Sequence, residues 1–320
     1  MQGQVSLVTG AGRGIGRAVA IALAAAGSDV VLGARTERQL EQVVAEIDKT
    51  GCRARAAPLD VADIDSVRRF VGRAAEEFGR IDVLVNNAGS NNGSEDGAIG
   101  PLWEINPAAW WRDIEVNLGG TFLCSHVALP HMVAAGTGRI VNMVSLAAMM
   151  PWPHDSAYAC SKAAIIRLTD SLAEEVVDHG VYVFALSPGS VDTELRGGAV
   201  DSPSGRKWLT NVNPNPQWVR AELPAQAVVF LASGRADGLT GRILSVDWDL
   251  EQLALDAGDI AARDALQLRL TPASPATPSR STCRCLPRAA RPDRWTPRCS
   301  SGMCSRPNVS FTGAPELIHK

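Results

Sequence analysis

The sequence has no apolar run long enough to cross a bilayer: its longest, Ala18–Ala26, covers nine residues, against the roughly 20 a spanning helix needs. It also lacks room for a leader, because the N-terminus runs straight into a strand and a glycine loop; no signal peptide is expected, and a cytoplasmic location follows. Metal-ligand patterns are missing too. His126, His131, His154 and His179 share no ligand spacing with Cys or acids, so each reads as structural and no metal is expected. What is present is 46% hydrophobic and 20% charged sequence over 320 residues. That describes a soluble globular protein able to bury a core, as one large α/β domain or two small ones.

Charge and cysteine are unevenly spread. Residues 271–320 carry eight Lys/Arg against two Asp/Glu, so net +6, leaving 23 basic and 32 acidic residues, net −9, over residues 1–270. The same fifty residues hold four of seven Cys and eight of nineteen Pro. A boundary is therefore placed just after Leu270. The segment beyond it is too poor in aliphatics to offset its ordering entropy and reads as a disordered tail. Three other readings stay open: an out-of-frame translation of GC-rich text, a basic nucleic-acid-binding arm, and a zinc site from Cys283, Cys285, Cys299 and Cys304, which lacks paired Cys-x-x-Cys knuckles.

The body alternates strands with helices. Strands are predicted at Val5–Thr9, Asp29–Gly33, 53–58, 81–85, Arg139–Val144, 181–186 and 242–246. Helices are predicted at Ile15–Ala26, from Thr36 as N-cap to Lys49, at 63–78, Trp110–Ala135, 156–179 and 224–233, with a further helical stretch over Leu250–Leu270. A Pro/Gly-rich loop runs to about Pro216. Continuous apolar strands between helices imply a parallel sheet covered on both faces, a doubly wound three-layer α/β/α domain.

The first strand–helix turn reads Thr9-Gly10-Ala11-Gly12-Arg13-Gly14-Ile15-Gly16. Glycine suits a backbone that must turn sharply beside a pyrophosphate, and the free amides that start the next helix bind the anion. Further on, Tyr158 and Lys162 are four residues apart on one helix face. Bringing a phenol from about 10 to about 7 takes ~4 kcal/mol. An ammonium ~4 Å away at an effective dielectric of ~20 supplies about that much. Such a pair can therefore serve as an acid–base; taken alone, it also fits a solvated helix face.

In order along the chain these motifs resemble the short-chain dehydrogenases/reductases, over about residues 4–250. Thr9–Gly16 matches the Thr-Gly-x-x-x-Gly-x-Gly loop, Asp60-Val61 the adenine contact, and Asn86-Asn87-Ala88-Gly89 the strand-end motif. Asn117, Ser145, Tyr158 and Lys162 fill the four catalytic positions, and Pro188-Gly189, Val191 and Thr193 match the segment at the nicotinamide end. The resemblance implies a Rossmann-like single domain over residues 1–250, extended by residues 251–270, that interconverts a ketone and a secondary alcohol by hydride transfer. In it Tyr158 is the acid–base, Lys162 lowers the tyrosine's pKa and bonds the nicotinamide ribose, Ser145 supports the substrate oxygen, and Asn117 holds a relay water. Gly10, Arg13, Gly14, Ile15, Gly16, Arg35, Asn87, Ala88 and Gly89 join the cofactor set. A dimer or tetramer is implied. An alternative is a catalytically silent cofactor sensor on the same fold.

The second strand ends at Ala34-Arg35, where an acid would read the ribose hydroxyls of NAD. Arg13 and Arg35 suit a 2′-phosphate instead, so NADP(H) is favoured and NAD(H) remains possible. Met149, Met150, Trp152, His154, Leu195, Trp208 and Trp218 stand where the family builds its substrate pocket and point to a hydrophobic carbonyl or alcohol. Ser90–Pro101 reads as a flexible loop beside the cleft. Neither a membrane nor a nucleic-acid partner is expected.

Overall fold

Seven strands form one parallel sheet: β1 (Val5–Thr9), β2 (Asp29–Ala34), β3 (Ala54–Pro58), β4 (Val83–Asn86), β5 (Gly138–Met143), β6 (Val181–Ser187) and β7 (Ile243–Ser245), in spatial order β3-β2-β1-β4-β5-β6-β7. This computed structural model describes residues 1–91, 98–193, 199–210 and 218–269. The strand residues alternate between two cores. Val8, Val85, Val141 and Phe184 face α1 (Gly14–Ala25) and Glu222–Ala232; Leu7, Leu84, Ile140 and Val183 face α3 (Ile64–Phe78) and Gly120–Ala135. Every one of these strand residues is fully buried, and each such side chain contributes about 1.5–3 kcal/mol of transfer free energy.

The chain winds outward from β1 to β2 and β3, then returns to place β4 on the other side of β1. A crevice opens at such a switch point, beyond the strands' C-terminal ends. In-register pairing sets Thr9 opposite Gly33 and Asn86 opposite Asn142, which aligns those ends. One continuous chain of buried amides supports them: Asn86 Nδ2 donates to Ser125 Oγ (3.0 Å) and Asn142 Oδ1 (2.8 Å), and Asn142 Nδ2 donates to Thr169 Oγ1 (2.9 Å).

Local chemistry explains the helix ends that differ from expectation. The helix predicted from Trp110 begins at Pro107, because Asn106 caps the Ala108 amide at 2.9 Å and proline suits the first helical position. It is α4 (Pro107–Ile114) and α5 (Gly120–Ala135), joined through a π-helical turn, Glu115–Gly119, that contains Asn117. By length and composition the joined helix could span a bilayer, but α5 packs on α3, β4 and β5. Thr36 stands at the N-cap of α2 (Glu37–Ile47), yet its side chain makes no capping bond. α6 (Ser156–Val176) stops short of His179 and closes with a 3-10 turn. The stretch predicted as loop contains a short strand pair, Ser190–Val191 with Trp218–Val219, and a helix, Pro203–Trp208. Past Leu250 there are two short helices, Leu250–Leu255 and Ala257–Ala262, rather than one; afterwards Gln267 and Arg269 bond the buried Asp170 of α6 at 2.7 and 2.8 Å. Residues 271–320 lie outside the described residues.

Candidate active site

The cleft at the switch point is built from the glycine loop. Thr9 Oγ1 accepts from the amides of Asn87 and Ala88, both at 3.0 Å, while Asn87 Nδ2 donates to Thr9 O at 3.0 Å and Gly10 O at 3.3 Å. The ends of β1 and β4 are thereby locked together. Gly10 has φ +66°, a left-handed conformation that costs glycine nothing. Gly16 sits so close to the first turn that a Cβ there would stand 2.2 Å from Gly10 O. Helix α1 starts after Arg13 with no side-chain cap and no acid in its first turn, so its amides are left for an anion.

Twelve of the predicted cofactor residues line this cleft: Gly10, Arg13, Gly14, Ile15 and Gly16 from the loop, Arg35 from the end of β2, Asp60 and Val61 after β3, Asn87, Ala88 and Gly89 after β4, and Thr193. Pro188, Gly189 and Val191 do not line it; they follow β6, with Val191 buried in the small strand pair. Residues outside the predicted cofactor set also line it. Thr36 and Gln39 stand beside Arg35, and Arg112 approaches Asp60 at 3.8 Å. Their positions on α2 and α4 carry no motif, so only the fold reveals them.

The catalytic candidates gather next to this cleft. A Cβ on Gly89 would stand 3.3 Å from Asn117 Oδ1 and 3.9 Å from Lys162 Nζ. Ser145 follows β5 as the cap of a 3-10 turn, accepts from the Ala147 amide at 3.2 Å, and stands close enough to Tyr158 for its side chain to favour the ionised phenol. Lys162 Nζ lies 5.6 Å from the Tyr158 ring centre and donates to Met143 O at 2.9 Å. Asn117, buried in the π turn, accepts from Ser90 N (2.7 Å) and donates to Ser90 O (3.0 Å) and Ser161 Oγ (3.1 Å). Both its amide hydrogens are thus committed to protein, leaving one lone pair of Oδ1 for a water.

The expected depression of the tyrosine is not what this arrangement gives. Burial pushes the Tyr158 hydroxyl up to about 12, against the opposing effect of the Ser145 side chain and with the nearby Asp155 adding to the rise. Burial also drops Lys162 to about 8. Desolvation outweighs attraction because Nζ turns toward Met143 rather than onto the phenol oxygen.

Around this centre, His154 has φ +71°, rare for a residue with a Cβ, and its ring stacks on Trp208 with centres 4.5 Å apart. The Gly100 amide donates to His154 O at 2.8 Å. Met149, Met150 and Trp218 are exposed; Leu195 and residues 92–97 of the Ser90–Pro101 loop lie outside the described residues. Among the described residues no group of three or more His, Cys, Asp or Glu is placed to hold a metal ion.

A glycine-lined crevice at the switch point of a parallel sheet, with Ser, Tyr and Lys at its edge, defines the nicotinamide-dependent oxidoreductases as a class. The family model described as short chain dehydrogenase matches residues 4–203, and the chain belongs to that family. It is 41% identical over 244 residues, 76% of this chain and 95% of the relative, to cis-4-hydroxycyclohexanecarboxylate dehydrogenase of Sinomonas cyclohexanicum. It is 38% identical over 275 residues, 84% and 89% of the two chains, to the short chain dehydrogenase mpl6 of Monascus purpureus. A gluconate 5-dehydrogenase from Burkholderia cenocepacia, solved with NADP and tartrate, superposes with a TM-score of 0.68 at 32% identity, covering 77% of this chain and 94% of that one. The protein is accordingly an NAD(P)(H)-dependent oxidoreductase that interconverts an alcohol and a ketone.

Proposed function

We propose that the enzyme uses Tyr158 as its acid–base, with NADP(H) as the preferred cofactor and a hydrophobic ketone or secondary alcohol as substrate. The observation that carries this is the Ser145 side chain set near the Tyr158 hydroxyl, with Lys162 Nζ 5.6 Å from the tyrosine ring centre, beside a cleft whose glycines and uncapped helix start fit a dinucleotide. The bound nicotinamide supplies or accepts the hydride. Tyr158 Oη, protonated at neutral pH, gives its proton to the oxygen of the ketone being reduced. Ser145 Oγ hydrogen-bonds the same oxygen where charge develops. Lys162 Nζ, with a pKa of about 8, stays largely cationic at pH 7 and stabilises the tyrosine oxygen as it loses its proton. Asn117 holds the Ser90 segment against α6.

Cofactor preference rests on Arg13 and Arg35 lining the cleft with Thr36, where Ala34 takes the place of an acid. Each charge-assisted bond to a 2′-phosphate contributes about 1.5–3 kcal/mol, so one suffices for a tenfold preference. The His154–Trp208 stack and exposed Met149 and Met150 supply apolar surface for the substrate. The helix pair 107–135 carries exposed Trp111 and Phe122 and, with α6, forms the contact of a homodimer or homotetramer.

The test is the initial rate of NADPH and NADH oxidation against a panel of ketones, run beside Tyr158→Phe. Turnover preferring NADPH and lost in the variant is expected. Equal or better rates with NADH overturn the cofactor preference alone. Tight cofactor binding without turnover on any ketone overturns the enzyme reading of this site.

A further inference from the structure

Past β7 and the two short helices that follow it, residues 264–269 return as a strap across α6, the helix that carries Tyr158 and Lys162. The Ile243 amide of β7 donates to Leu266 O at 2.8 Å. Gln267 Nε2 donates to Asp170 Oδ1 at 2.7 Å and Arg269 Nη1 to Asp170 Oδ2 at 2.8 Å, while Arg269 Nε holds Asp264 at 2.6 Å. Arg167 bonds both the Asp170 carboxylate and Leu268 O. Asp170 is 7% exposed, so its charge depends on these partners, and two of the three side chains that bond it belong to the strap. The strap is also strained: Asp264 and Leu266 have φ +51° and +59°, left-handed values that a residue with a Cβ holds only where its surroundings fix them.

Between these polar anchors the strap sets down one apolar side chain, Leu268, on a small core that includes Val144, Ile165, Ile166 and Ile243 and that Leu118 and Ala148 also pack against. Each element bearing a candidate catalytic residue contributes to this core. Val144 precedes Ser145, and Ala148 closes the 3-10 turn that Ser145 caps. Leu118 follows Asn117 in the π turn, and Ile165 and Ile166 lie one turn beyond Lys162. Lys162 Nζ is itself fixed to Met143 O, one residue before Val144. Neither the strap nor this core lines the dinucleotide cleft.

We propose that the 264–269 strap positions the active site: Leu268, seated by the bonds of Gln267 and Arg269 to Asp170, holds the elements bearing Ser145, Tyr158, Lys162 and Asn117 in register. Without Leu268 the small core loses one of its walls, α6 shifts against β5 and the π turn, and the groups that move the proton lose the alignment their step needs. Cofactor affinity stays, because the cleft is built elsewhere. The inference rests on Tyr158 and Lys162 carrying the chemistry.

Leu268→Ala in the full-length protein is the test, beside Leu268→Met, which conserves volume, and Val71→Ala, a buried truncation in the α3 core outside this cluster. With the best ketone of the panel, kcat should fall about tenfold or more in Leu268→Ala. The Kd for NADPH should stay within about twofold of wild type at unchanged oligomeric mass. Leu268→Met should restore kcat to within about threefold, and Val71→Ala should leave it unchanged. Arg269→Ala alters an exposed side chain that folding can spare, and it should lower kcat about threefold at the same Kd. An unchanged kcat in Leu268→Ala and Arg269→Ala, an equal loss in Val71→Ala, no rescue by methionine, or a loss that follows a change in oligomeric mass overturns the proposal. Hydrogen–deuterium exchange of the unliganded protein reads the strap without turnover: amides over residues 156–168 should exchange about fivefold faster or more in Leu268→Ala than in Val71→Ala. Equal exchange in the two overturns it. Tyr158→Phe separates this from the reading beneath it, since retained turnover in that variant defeats the acid–base assignment, whereas the exchange difference follows the strap alone.

Discussion

Replacing Gly16 with alanine is a strict test of the cleft, because two effects of opposite sign compete. Alanine is the better helix former by about 1 kcal/mol, and Gly16 occupies the first turn of α1. Against that, the added Cβ would lie 2.2 Å from Gly10 O and 2.5 Å from Asn87 Nδ2. Carbon contacts are comfortable near ~3.5 Å, so the loop must retreat on the order of 1 Å. Gly10 is held in its left-handed turn and Asn87 Nδ2 is bonded to Thr9 O and Gly10 O, so neither yields cheaply. Overpacking of this kind costs about 1–3 kcal/mol, and weakening the Asn87 bonds adds ~1 kcal/mol. The net expectation is a loss of ~2 kcal/mol, or about 4–8 °C in Tm for a domain of this size. NADPH affinity should fall at least tenfold, equivalent to ~1.4 kcal/mol. Differential scanning fluorimetry and NADPH fluorescence titration read both. Gly72→Ala is the control: a Cβ in the middle of α3 meets nothing within 4 Å, so it should gain about 0.5–1 kcal/mol. Unchanged Tm with NADPH affinity held within twofold in Gly16→Ala would refute the account of the loop.

Thr169→Val removes the acceptor for Asn142 Nδ2 at full burial; an unfolding loss of about 1–3 kcal/mol is expected from chemical denaturation, and a loss under ~0.3 kcal/mol counts against the buried amide chain. Lys162 titrates at about 8 because burial disfavours its charge. As pH rises through that value Nζ loses the positive charge that supports the departing proton of Tyr158. Hence kcat/KM for ketone reduction should be level below about pH 8 and fall about tenfold per unit above it; a profile still level at pH 9.5 removes Lys162 from that role.

Several elements were legible because their signal is local. Strand β1 and helix α3 fall within a residue of expectation, since apolar period and the Asp63 cap are carried by neighbours in the chain. The glycine loop and the Tyr158–Lys162 spacing are equally short-range. Other features need partners far away in sequence. Thr36 stands at the N-cap of α2 as expected but makes no side-chain capping bond, and it lines the cleft. The π turn at Glu115–Gly119 has no compositional mark, and the 250–270 stretch breaks into two helices before its end bonds Asp170.

The tyrosine's acidity shows the division most clearly. Sequence spacing places a lysine one turn from Tyr158 and implies a depressed pKa, whereas burial and the Asp155 carboxyl move it the other way. By itself the sequence determined the alternating α/β order, the glycine loop, and which residue types could carry the chemistry, because those follow from periodicity and spacing along one chain. Only the tertiary structure decided that Gln39 and Arg112 reach the cleft, that Asn117 clasps Ser90, and that Asp155 is buried against Asn91. Those pairings arise where α2, α4 and α6 pack on the sheet, and desolvation at such contacts is a property of the assembled interior rather than of any stretch of chain.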